Sequence, residues 1–154
     1  MTISEKGLAL IKSQEGCVLH PYKDQAGIPT IGWGNTRYEY GQKVTMKDPP
    51  ITQQRADELL HMIVVGVAEE VDGLITDQVN QNQFDALVDF AYNAGTGALK
   101  GSTLRKRVNA NPSDPTIRDA FMMWTKIHND KGELVELPVL KGRRKDEADL
   151  YFSA

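Results

Sequence analysis

The sequence predicts an α+β fold that is predominantly helical. Three observations carry this. The stretch 20–46 is punctuated by proline and glycine and holds short β-arms. After Pro49-Pro50, apolar residues recur at helical spacing almost to the end. The 154 residues are 40% hydrophobic, which suits one domain, or one domain in two lobes, with a core that needs no staples.

Taken in order, the first element is a helix. Thr2-Ile3-Ser4-Glu5 has capping-box form, with Thr2 as the expected cap and Glu5 three residues on. Ile3, Gly7, Leu10 and Ile11 share a face, and Gly16 is a natural stop, which puts Glu15 at the helix end. His20-Pro21 and Ile28-Pro29 break any helix there. Residues 22–24 and 28–31 read as hairpin arms around a turn at 24–27, and a third strand is expected near 43–45. Thr52 caps a helix running to Asp72, with Leu59, Leu60, Ile63, Val64, Val67 and Val71 in register. Gln81 to Ala94 is the next helix. Ser102 caps a short basic one through Val108. Asp114-Pro115 opens one through Trp124. Residues 129–132 form a turn, read as a hairpin tip, and Lys141 to Phe152 is the last helix.

Charge and cysteine usage narrow the class. The net charge is −3, but residues 1–77 hold seven bases against eleven acids, and the last third is basic, with clusters at 105–107 and 143–145. Such clusters read either as solvated helix faces or as a surface for an anionic polymer. A pI near 5.6 and the lack of a nucleic-acid motif argue against nucleic acid; cell wall is another such polymer. The single Cys17 excludes an internal disulfide and reads as a buried, inert thiol. No long apolar run occurs at the start, so neither a signal peptide nor stable membrane insertion is expected.

His20, His61 and His128 are scattered, no metal-ligand spacing occurs, and no nucleophile elbow, phosphate loop or dinucleotide fingerprint is present. No metal and no cofactor are expected. What remains is a carboxylate pair. Glu15 ends a helix, and Asp24 sits beside a turn nine residues later. Glycoside hydrolysis needs such a pair: a protonated acid for the leaving oxygen and an anion on the other face. The negative end of a helix disfavours an ionised Glu15, while a turn favours an ionised, hydrogen-bonded Asp24. Many acidic pairs fit that description, so the pair alone does not select the chemistry.

The run 15–36, EGCVLHPYKDQAGIPTIGWGNT, resembles the catalytic segment of phage-type lysozymes, the endolysins of glycoside hydrolase family 24. The family pattern is E-G at a helix end, eight residues to an Asp, five to a Thr, then G-x-G-x-T. Glu15, Asp24 and Thr30 meet those spacings without a gap. Further on, 83–95 resembles the family's Q-x-A-L-x-S-F-x-F-N-x-G helix, Ser102-Thr103-Leu104 its S-T-L turn, and Trp124 with 140–147 its late Trp and R-R-x-x-E region.

The resemblance implies a two-lobe lysozyme-like fold. An N-terminal lobe over about 13–60 would carry a three-stranded antiparallel sheet with Asp24 and Thr30. A connecting helix over about 52–72 would lead to a helical lobe over about 74–154, on which the first helix packs, with a cleft between. It implies an endolysin muramidase cutting the β-1,4 bond from N-acetylmuramic acid to N-acetylglucosamine in peptidoglycan by inversion. Glu15 would protonate the leaving oxygen, Asp24 would activate a water, and Thr30 would hold it. Arg143 or Arg144, with Arg144 favoured, would orient Glu15, and Tyr92, Asn93 and Ser102 are candidate sugar contacts. Trp33 and Trp124 read as packing residues. The enzyme is expected to be monomeric and to wait in the host cytoplasm for a separate membrane pore. The alternatives are a lytic transglycosylase and an inactive wall-binding module on the same fold. The stretch 37–50, longer than in compact members, is expected to reshape the cleft rim.

Overall fold

The computed structural model describes residues 1–154 apart from Gln25 and Asp77, so one residue of the turn expected at 24–27 lies outside the described residues. The elements in order are α1 (Glu5–Gln14), β1 (Val18–Lys23), β2 (Pro29–Gly32), α2 (Gln53–Leu74), α3 (Gln81–Ala94), α4 (Thr96–Lys100), α5 (Thr103–Ala110), α6 (Ile117–Met122), β3 (Lys126–His128), β4 (Leu134–Glu136) and α7 (Pro138–Tyr151). The chain divides into two compact units, Leu8–Gly66 and Met1–Gly7 with Val67–Ala154.

In the unit 8–66, β1 and β2 pair antiparallel, with Tyr22 opposite Thr30 and Lys23 opposite Pro29. The register shifts between Val18 and Tyr22, where Pro21 can donate nothing to the ladder. The expected third strand is not formed, and the sheet has two strands. Residues 43–45 contribute one isolated bridge, Arg37 to Lys43. The physical reason is local. Asp48 draws the chain into a side-chain-bonded turn, accepting from the Thr45 N–H at 2.9 Å, the Thr45 hydroxyl at 2.6 Å and the Tyr38 hydroxyl at 2.7 Å. Such bonds compete with a backbone ladder. Glu39 pairs with Arg55 and fixes the other side of the same stretch. The Thr52 hydroxyl accepts from the Arg55 N–H at 3.1 Å, the cap that starts α2. Ile11, Ile31, Val44, Ala56, Leu59, Leu60 and Val64 form the buried apolar set of this unit.

In the other unit, α3 is buried over every residue from Phe84 to Ala91. A full capping box, Asn80 with Gln83, starts it. It packs on α7, which also packs on α6. Phe90 meets Phe121 and Trp124 edge-on at 6.0 and 5.6 Å, and Phe121 meets Tyr151 at 5.8 Å. A second two-stranded sheet, β3 with β4, closes around residues 129–132 as the hairpin tip there implied.

Several boundaries differ from the sequence reading. The cap of α1 is Ser4, not Thr2: its hydroxyl accepts from the Gly7 N–H at 3.1 Å and is itself anchored on Asp85 of α3. Asp114 caps only a turn, accepting from the Thr116 N–H and hydroxyl, so α6 begins later, at Ile117. The helix α4 had no counterpart in the sequence reading, because a five-residue helix is too short to show periodicity. Among the described residues, no helix is long and apolar enough to cross a membrane.

Candidate active site

The unit 8–66 holds Glu15, Asp24 and Thr30. Glu15 lies one residue beyond α1, and its N–H still donates to the Ile11 carbonyl at 3.1 Å, so the helix sets its position. The residue is half-buried. Gly34, at φ +89°, approaches it closely: a Cβ there would stand 3.9 Å from Glu15 Oε2. The positive φ favours glycine, so this turn keeps side-chain bulk off the carboxyl group.

Asp24 closes the hairpin. Its Oδ1 accepts from the Ala26 N–H at 2.8 Å and the Ile28 N–H at 2.9 Å. Its own N–H donates to the Ile28 carbonyl at 3.0 Å. This is an Asx turn, the geometry expected of aspartate at that position. Among the described residues, Oδ2 accepts no such bond. Thr30 is 3% exposed, and its hydroxyl donates to the same Ile28 carbonyl at 2.8 Å. With its proton placed there, the hydroxyl oxygen remains an acceptor. Ile28 therefore locks Asp24 and Thr30 together through backbone atoms alone.

Tyr22, opposite Thr30 on β1, is the residue the sequence reading passed over. Burial holds its phenol above the ordinary tyrosine range, and the charges of Asp24, Glu15 and Cys17 push it the same way. One ring thus feels both carboxylates. The signal was available: Tyr22 stands two residues before Asp24, on a strand where alternate residues share a face. Cys17 is half-buried rather than buried, and the Gln53 amide donates to its sulfur at 3.6 Å. Trp33 donates from Nε1 to Asp57 at 2.9 Å, a bond that holds the Asp57 carboxyl below its usual range.

A half-buried acid at a helix end, a second carboxylate pinned by one oxygen, and a fixed hydroxyl form a set suited to acid–base hydrolysis of a glycosidic bond. A family model described as Phage lysozyme matches residues 12–147. The chain belongs to the phage lysozyme family. It is 35% identical over 153 residues to the endolysin of Salmonella phage P22, covering 99% of each chain. The solved structure of an endolysin from Escherichia coli O157:H7 phage FAHEc1 is 41% identical, with a TM-score of 0.92 over 99% of this chain and 94% of that one. The muramidase domain of SpmX from Asticaccaulis excentricus is 30% identical, with a TM-score of 0.84 over 99% of both. Membership makes this chain a glycoside hydrolase that acts on peptidoglycan, of the endolysin kind.

The remaining candidates of this lysozyme lie in the other unit. Ser102 is 3% exposed and caps α5: its hydroxyl accepts from the Arg105 N–H at 3.0 Å and donates to the Leu99 carbonyl at 2.7 Å. Tyr92 is half-buried near the end of α3. Exposed Asn93 accepts from Arg144. Arg144 is 1% exposed, pairs with Glu147, donates to the Trp124 carbonyl at 3.0 Å and lies over the Phe90 ring at 4.9 Å. Arg143 is 7% exposed and meets Asp89 at 3.2 Å and Glu147 at 3.6 Å. The cluster at 143–145 is therefore not the basic surface the charge pattern allowed. Two of its three cations are internal, because one α7 acid, Glu147, stands four residues after Arg143 and three after Arg144, and α3 supplies a second, Asp89.

Proposed function

We propose that this lysozyme hydrolyses the β-1,4 bond between N-acetylmuramic acid and N-acetylglucosamine by direct, inverting attack of water. Glu15 gives its proton to the leaving glycosidic oxygen. A water held by Asp24 and the Thr30 hydroxyl attacks the anomeric carbon from the opposite face, and its proton passes to Asp24. The products are two free sugar ends, and proton exchange with solvent restores both carboxyl groups. The observation that carries this reading is the pinning of Asp24. Two backbone N–H groups fix Oδ1, which leaves Oδ2 to accept from a water, beside a Thr30 oxygen that can also accept. A carboxylate bonded this way keeps its aim as the reaction proceeds.

Glu15→Gln tests the acid role. The variant is expected to lose clearing of purified peptidoglycan while its melting temperature holds, and full retained clearing overturns the assignment. Proton NMR of the first products tests the stereochemistry: an initial α-anomer supports inversion, and a β-anomer refutes it. Anhydro-muramic ends in the product mass spectrum would instead mark a lytic transglycosylase. We further propose that the enzyme acts as a monomer and is stored in the host cytoplasm until a separate pore opens. Fractionation of induced cells with and without that pore tests the storage step.

A further inference from the structure

We infer that the cavity behind the Asp24 turn binds a carboxylate of the peptidoglycan stem peptide, an inference that rests on the muramidase reading above. The cavity has a volume of about 380 Å³ and is lined by Ile28, Pro29, Thr36, Arg37, Lys43 and Val44. That size suits a small-molecule or short-peptide subsite. Its floor is apolar, and its two charged groups are both cations.

The placement of those cations is the decisive feature. Arg37 and Lys43 face each other across an antiparallel bridge. The flanking bonds run from the Tyr38 N–H to the Gln42 carbonyl at 2.9 Å and from the Val44 N–H to the Thr36 carbonyl at 3.0 Å. Those bonds make Arg37 and Lys43 a non-hydrogen-bonded pair, the kind whose side chains stand closest on one face. Like charges directly opposite each other destabilise a ladder. The neighbouring acids do not relieve them: Glu39 is paired with Arg55, and both oxygens of Asp48 are taken by Thr45 and Tyr38. Among the described residues, neither cation has an acid partner. Arg37 gives one N–H to the Gly41 carbonyl at 2.9 Å, which fixes its guanidinium and leaves four donors.

An anion seated between these two cations would relieve their repulsion, and an apolar floor beside it suits an aliphatic group. A stem-peptide carboxylate with its neighbouring alanine methyl has both parts; a bare phosphate has only the first. The wall of the cavity is also the wall of the site. Ile28 donates to Asp24, and its carbonyl accepts from Thr30. A peptide held there would fix the glycan strand next to the water-activating pair, which is how remote binding serves a reacting bond.

The test measures binding of a fluorescent N-acetylmuramyl-pentapeptide in the Glu15→Gln background, where turnover does not consume the probe. Arg37→Gln with Lys43→Gln is expected to weaken binding about tenfold or more, since each charge-assisted bond is individually worth several-fold. The loss should shrink at high salt, and a probe with amidated carboxylates should bind both proteins equally weakly. The double variant removes the repulsion together with the exposed Arg37 bond to the Gly41 carbonyl, two effects of opposite sign, so its melting temperature should stay close to its parent's. Should it fail to fold, each single variant carries the same test. Equal affinity for the parent and the variant overturns the inference. So does displacement by inorganic phosphate at the peptide's own concentration, which would mark unselective anion pairing. A failure of the muramidase reading appears separately, as clearing retained by Glu15→Gln.

Discussion

Gly7→Ala should destabilise the protein, although helix propensity alone says the reverse. Alanine is favoured over glycine inside a helix by about 1 kcal/mol, and less in the first turn, where Gly7 sits. Here, however, a Cβ would meet Asp85 Cγ at 2.6 Å, Cβ at 2.8 Å and Oδ1 at 2.9 Å. Rotating the Asp85 side chain moves Cγ and Oδ1 but not its Cβ, which is fixed to α3, so the start of α1 must also shift. Asp85 is fully buried and accepts from the Ser4 N–H at 3.0 Å, the Ser4 hydroxyl, and the Gln81 amide at 2.8 Å. Bonds to a charged acceptor are worth about 1.5 kcal/mol each at the low end. Losing most of that set, less the propensity gain, leaves a net cost of about 3 kcal/mol. For a chain of this size each kcal/mol moves the melting temperature by about 2–4 °C, so a fall of about 10 °C is expected. Urea and thermal unfolding of Gly7→Ala, Asp85→Ala and the double variant make the assay. The cost of Gly7→Ala should largely vanish when Asp85 is already truncated. A wild-type melting temperature, or an equal cost in both backgrounds, refutes the argument.

Three other outcomes follow from the same geometry. Asp24→Asn retains an oxygen for the Ala26 and Ile28 N–H groups, so the melting temperature should hold while kcat on peptidoglycan falls about 10²–10⁴-fold; a matching loss of stability would make Asp24 a structural residue instead. Thr30→Val keeps the shape in a buried position, and the Ile28 carbonyl keeps its bond from the Asp24 N–H, but the hydroxyl that would hold the water is gone, so kcat should fall about a hundredfold with little change in KM, and an unchanged kcat would remove Thr30 from the water site. Glu147 is held well above the ordinary glutamate range, first by burial, then by its bond to Asp89 and that residue's charge, against the pull of Arg144. Its folded form binds the proton more tightly than its unfolded form. Its stabilising contribution is therefore complete below the ordinary value of 4.5 and is lost as pH rises toward the raised one. Glu147→Gln, which can still donate to Asp89 and accept from Arg144, should flatten that loss; urea midpoints at pH 5 and pH 8 that differ equally in both proteins would refute it.

The local geometry of the candidate segment is legible in the sequence because its contacts are short-range. Glu15 is placed by the end of its own helix, and Asp24 by N–H groups two and four residues on. Thr30 is placed by the carbonyl two residues before it. Each contact spans a few residues, so fixed spacing in the chain becomes fixed geometry. The helices at 53–74 and 81–94 were legible for a related reason: their apolar periodicity is long enough to average over exceptions. The third strand failed because strand pairing is decided by partners. Asp48 offered Thr45 a better set of bonds than a ladder did, and no pattern within 43–45 reports that competition.

The cluster at 143–145 shows where reading a line of residues stops. Along the chain, Arg143 and Arg144 look like their neighbour Lys145, which is exposed and pairs with Asp149 at 2.9 Å. What separates them is a turn of 100° per residue and the presence of Asp89, 54 positions away on α3. Burial then changes what the charges do. An exposed pair such as Lys145 with Asp149 contributes little, whereas a buried set of two guanidinium groups and two carboxyl groups must be matched group for group or become costly. The same logic runs in reverse at Arg37 and Lys43. There the sequence offers acids nearby, at 39 and 48, and nothing in their spacing says that both are already engaged. In both places the informative quantity is which charges are left over once every acid has chosen its partner. That remainder can be counted only in the folded chain, and it is where a binding function beyond the proposed hydrolysis has room to arise.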